Sequence, residues 1–318
     1  MSTAVSLLQQ AAQTIQDTAT ARPPTPAGPP RGFSLREAFF QLVQFAGWFL
    51  SVGAIGFRFG IVRRVRGMTD EARTILRADN AARLGMLGVL LLFISYLGGP
   101  LVTSFVEHKT FLESLPRNRG PFDLKMMLLA LAFIGFALVR SASAAGWALA
   151  GLGVLIAELQ PLYTGRTAGK VNAVHILAAS TWLGTLLVLT LIGIRGLMRS
   201  ATAGVKRAEL VCDLVNSFSP LALGAATIVA LTGLTTAWLH LKRLSALWTT
   251  SYGIALLVKL VLVLIVVSLG AWNWRRVRPS LGDAGSEETI RRSATLELTF
   301  AGFVLVATAV LVSLPSPR

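Results

Sequence analysis

The stretch from Leu84 to Val106, LGMLGVLLLFISYLGGPLVTSFV, carries no charged side chain. As a helix rising 1.5 Å per residue it is long enough to cross the ~30 Å hydrocarbon core of a bilayer. Lipid offers no partner for backbone amides and carbonyls, so a lone span of this kind must be helical. Seven further apolar runs repeat the pattern. The spans read from the sequence are 38–62, 84–106, 122–140, 145–163, 171–194, 217–241, 252–274 and 295–314. None shows the ~10-residue alternation of a membrane barrel strand. The expected fold is therefore all-α, a polytopic membrane bundle of eight transmembrane helices. Lys125 and Arg140 bracket the third run, whose ends must snorkel to span. The third and fourth runs also read as a single re-entrant hairpin.

Charge is scarce and clustered. Of 318 residues 14% are charged, against about 25% in a soluble domain. The net charge of +15 would suggest nucleic acid in a soluble chain. Here the basic residues flank spans, and no aromatic–basic surface motif accompanies them, so no nucleic-acid partner is expected. The densest clusters are RRVRG at 63–67, RGLMRSATAGVKR at 195–207 and RRVRP at 275–279. All three fall on one side of the alternating spans. The positive-inside rule makes that side cytoplasmic and puts both termini outside. Residues 1–36 differ from the rest. ATARPPTPAGPPRG holds five prolines and cannot continue a helix or strand, so 1–36 reads as a disordered tail before a membrane domain over 37–318.

Several chemistries are excluded. One cysteine, Cys212, gives neither a disulfide nor a Cys-x-x-Cys pair. GRTAGKV at 165–171 has one residue too few between its glycines for a phosphate loop, and Val171 where Ser or Thr is needed. No nucleotide is expected. Bis-histidine haem needs opposed histidine pairs at membrane depth, which three histidines at 108, 175 and 240 do not supply.

What remains is a set of polar groups inside apolar runs, where a charge costs roughly 2.5–3.5 kcal/mol on insertion scales and marks function. Glu158, His175, His240 and Lys259 all fall towards the outer ends of their spans, and the reading brings them to one vestibule, with Lys259 paired to Glu158. Trp182 follows His175 by two helical turns and shares its face. Asn172, one turn before, is placed to hold one imidazole nitrogen. The alternative is a structural Lys259–Glu158 pair with a histidine bonded to a backbone carbonyl.

These residues resemble a family. His175 with Trp182-Leu183-Gly184, Phe218-Ser219-Pro220, Thr232-Gly233, Tyr252-Gly253 with Lys259, Asn273, and Leu296-Glu297-Leu298 are similar to the copper resistance D (CopD) family over roughly 160–314. The resemblance implies eight transmembrane helices in a bacterial inner membrane and a copper ion as cargo. It also implies a periplasmic copper-binding partner of the CopC type. One departure stands out. Where the family commonly has Thr-Gly-His, this chain has Thr164-Gly165-Arg166. Cu⁺ prefers soft ligands and imidazoles, so Met126, Met127 and His240 join His175 as candidate ligands. Two main readings follow: a copper-handling permease with His175 as first ligand, or a non-transporting membrane subunit or assembly factor in which Arg166 has abolished metal uptake. A third is transport of an anion drawn to Arg166 and Lys259.

Overall fold

The computed structural model describes residues 33–65, 76, 78–139, 144–199, 204–240, 245–273, 275 and 286–314. Eight long helices account for most of them: α1 (Leu35–Val62), α2 (Ala78–Val106), α3 (Arg119–Val139), α4 (Ala144–Leu159), α5 (Thr167–Arg199), α6 (Gly204–His240), α7 (Ser251–Trp272) and α8 (Ser286–Ser313). No strand occurs among the described residues. Every expected span is present, and α3 is a separate 21-residue helix rather than half of a re-entrant hairpin. Residues 1–32 of the expected tail lie outside the described residues. Its last residues do not belong to a tail: Ser34 caps α1 by accepting from the Glu37 amide, and the helix starts at Leu35.

Helices α1 and α5 form the centre. Two-thirds of the apolar window of each is buried, against 11% for α7. They can approach closely because glycine lies at their crossing. A Cβ on Gly53 would run into the Gly184 backbone, and one on Gly184 into the Phe49 carbonyl. Membrane helices lack a hydrophobic drive to associate and rely on such small-residue contacts. Both central helices contain π-helical turns, Phe57–Val62 in α1 and Ser180–Gly184 and Leu189–Ile194 in α5. Outer helices turn large apolar side chains outward, among them Leu223, Leu231, Leu264 and Val306. Those faces suit lipid.

Helices α3 and α4 make an antiparallel hairpin whose register is set by three glycines. Gly146 lies against the backbone at Val139, Gly135 against Ala150, and Gly153 against Leu128 and Ala132. Continuing that register by one turn puts Glu158 across from Lys125. Helix α7 packs chiefly against α8 and the short helix Ala246–Thr249.

Candidate functional site

Alternation of eight spans gathers the start of α1, α3, α5 and α7 and the end of α2, α4, α6 and α8 at one end of the bundle. The loop 107–118 lies at this end, with a short helix Phe111–Ser114 whose Thr110–Glu113 capping box bonds in both directions. The Thr110 backbone amide and hydroxyl at its carboxylate hold Glu113 below the usual carboxylate range. The described arginines of the basic clusters, Arg63, Arg64, Arg195, Arg199 and Arg275, sit at the opposite end.

His175 lies in the third turn of α5 and is half-buried against α6. Its Nδ1 is 2.9 Å from Thr232 Oγ1. The Thr232 hydroxyl already donates to the Ile228 carbonyl at 2.6 Å. On that network Nδ1 carries the proton and donates to Oγ1, with the Val229 carbonyl as a second acceptor beside it. Nε2 then presents its lone pair and makes no hydrogen bond among the described residues. Gly233 makes this seat possible: a Cβ there would stand 3.3 Å from His175 Cε1 and 3.8 Å from Nδ1. The adjacent Thr-Gly pair thus has two tasks, a hydroxyl to orient the ring and a missing side chain to admit it. The Lys259 ammonium, on the third turn of α7, lies within electrostatic reach of the imidazole.

Below the ring, α5 and α6 leave a groove lined by Ala178, Thr181, Pro220, Gly224, Ala225 and Ile228, with Arg64 at its far end. Ala178 is one turn from His175 and Ile228 one turn from Thr232, so the groove begins where the histidine site stops.

The other expected residues are distributed differently. Glu158 is buried, 4% exposed, but its basic neighbour is Lys125 of α3. The glycine register of the α3–α4 hairpin dictates that pairing, while Lys259 stands beside His175. One vestibule is thus replaced by two polar clusters, and the basic neighbour of Glu158 is Lys125 rather than the expected Lys259. Asn172 is exposed, and the group that holds Nδ1 is Thr232 across the helix pair. Trp182 falls within a π turn, buried in the core where α5 meets α1. Met126 packs on the core and Met127 points outward, 62% exposed. His240 ends α6, eight residues and ~12 Å along the axis from Thr232. Arg166 is exposed at the N-cap of α5. Among the described residues no three His, Cys, Asp or Glu side chains converge as a metal cluster would.

At the opposite end, Asn273 Nδ2 donates to Glu297 Oε2 at 3.3 Å, and the Ser293 hydroxyl donates to Asn273 Oδ1. Glu297 is thus held by an amide. This clamp ties the end of α7 to α8, the helix that carries most of its packing.

Residues 213–311 match the family model for CopD, copper resistance protein D. The match covers under half of the chain. It includes Thr232, Gly233, Lys259, Asn273 and Glu297, and begins beyond Arg166 and His175. The copper transport protein CutJ of Bacillus subtilis (strain 168) is 31% identical to the chain over 143 residues, which are 45% of this chain and 24% of that protein. The matched region thus spans about a quarter of the length of that relative. No solved structure matches the chain.

Proposed function

We propose that this membrane protein handles copper, and that His175 is the residue that receives Cu⁺. The observation that carries the reading is the seat of the imidazole: Nδ1 bonded to Thr232 over Gly233, Nε2 left open. A neutral imidazole fixed through one nitrogen is a ready ligand through the other. The CopD match and the likeness to a copper transport protein support copper as the cargo.

An imidazole that belongs to no cluster of three or more histidine, cysteine or carboxylate side chains among the described residues suits a cargo that must leave again rather than a resident metal. The groove between α5 and α6 offers a route onward from the ring. Because the basic clusters lie at the other end, the histidine end faces outside by the positive-inside rule. Copper then arrives from the periplasmic or equivalent side, where a CopC-type protein could deliver it.

A second reading has its own observation. Lys259 and Arg166 place two cations at the end where Cu⁺ would arrive, which favours a subunit or assembly factor that has lost metal uptake. Reconstituting the full chain in liposomes and following copper influx separates the two. Uptake that falls in His175→Ala supports the permease. Absence of uptake and of bound copper in both proteins supports the subunit.

A further inference from the structure

The first four helices contain a second polar cluster that the histidine site does not use. Tyr96 of α2 is its hub. The tyrosine oxygen accepts from Gln44 Nε2 at 2.7 Å and from Lys125 Nζ at 3.4 Å, and the ammonium also lies 5.2 Å from the centroid of the same ring. The Tyr96 O–H is thereby left as a donor. Trp48 of α1 is fully buried, and its indole N–H faces the Tyr96 hydroxyl without completing a hydrogen bond among the described residues. Glu158 is the acidic member. Its carboxylate, 4% exposed, lies within electrostatic reach of both Lys125 and Tyr96, yet makes no direct hydrogen bond or ion pair among the described residues. Above it, Gln160 Nε2 donates to the Pro121 carbonyl at 2.5 Å and ties the ends of α3 and α4 together.

The arrangement is poor as a structural ion pair. A buried pair stabilises only when good geometry and further hydrogen bonds offset desolvation. Here Lys125 and Tyr96 lie within electrostatic reach of one carboxyl, and neither bonds it directly among the described residues. A bridging water needs two to four polar partners, and the carboxyl, the Lys125 ammonium and the Tyr96 hydroxyl supply them.

We propose that Glu158 is a proton-binding site of the first four helices, exchanging its proton with water at the end of the bundle that holds loops 107–118 and 160–166. Hydronium gives one proton to the carboxylate and leaves as water, and the reverse step returns it. Lys125 remains the counter-charge, and Tyr96 orients the exchanging water. Among the described residues no other ionisable group faces the carboxyl: α1 offers Gln44 and Trp48, α2 offers Tyr96, α3 offers Lys125, and His175 of α5 is turned to α6. The site does not depend on copper.

Infrared difference spectroscopy of the full chain in lipid, titrated between mildly acidic and mildly alkaline pH, reads the carboxyl directly. The expected result is a protonated-carboxyl C=O stretch that appears on acidification, is lost in Glu158→Gln and persists in Glu297→Gln. Should Glu158→Gln fail to insert, Tyr96→Phe serves instead: deleting the hydroxyl must shift the frequency of that stretch. A difference band assigned to Glu158 that stays carboxylate at every pH, or a stretch indifferent to Tyr96→Phe, overturns the proposal. Either outcome leaves copper binding at His175 untouched.

Discussion

Gly233→Ala separates the seat of the histidine from the stability of the helix that provides it. The new methyl would stand 3.3 Å from His175 Cε1, tighter than an ordinary van der Waals contact. The ring must move by a few tenths of an ångström, and a shift of that size disturbs the 2.9 Å bond to Thr232. A neutral hydrogen bond contributes about 0.5–1.5 kcal/mol, with the membrane average near the lower figure. Losing most of it weakens Cu⁺ binding about three- to tenfold. The helix itself gains, since alanine is favoured over glycine in a helix interior by about 1 kcal/mol. The variant should therefore bind Cu⁺ several-fold more weakly while its thermal stability in detergent is unchanged or slightly higher. Competition with a chromophoric Cu⁺ chelator measures the first, and a fluorescence melt the second. Unchanged affinity in a folded variant would refute the claim that Gly233 and Thr232 set the imidazole.

Replacing Gly53 with leucine forces a side chain into the Gly184 backbone; overpacking of this kind costs on the order of 3 kcal/mol, so the detergent-solubilised protein should melt well below wild type, and an unchanged melt removes the α1–α5 crossing from the centre of the fold. Lys259→Met takes a cation away from His175 and should tighten Cu⁺ binding by about tenfold, equivalent to ~1.4 kcal/mol; weaker binding would mean that the lysine assists the site. For topology, Cys212 is first changed to serine. A cysteine at Glu113 should then react with an impermeant maleimide in intact spheroplasts, and one at Arg64 only after lysis; the opposite pattern inverts the orientation.

Hydropathy made the eight spans legible because each must satisfy its own backbone within lipid. His175 was legible for a related reason: an imidazole in an apolar run has no packing rationale. The pairings were not. Lys125 reads from sequence as a snorkelling end, and only the glycine register of the α3–α4 hairpin turns it towards Glu158 rather than leaving Glu158 to Lys259. Side-chain periodicity within one helix says nothing of which helix lies opposite. Trp182 illustrates a second blind spot. Its expected position below His175 assumed an unbroken α-helix, and the π turn at Ser180–Gly184 shifts the face it occupies. Thr232-Gly233 was visible as a motif, but its task appears only when α6 is laid against the imidazole. Tyr96 and Gln44 gave no signal, since one hydroxyl and one amide in apolar runs look like ordinary tolerated polarity.

The most direct test of the account is Cu⁺ binding by the purified full chain compared with His175→Ala under reducing conditions. Wild type should bind Cu⁺, His175→Ala should lose most of that binding while keeping its fold, and Arg166→His should strengthen it. Equal binding by wild type and His175→Ala, or no binding by either, would contradict the account and leave the histidine a structural link between α5 and α6.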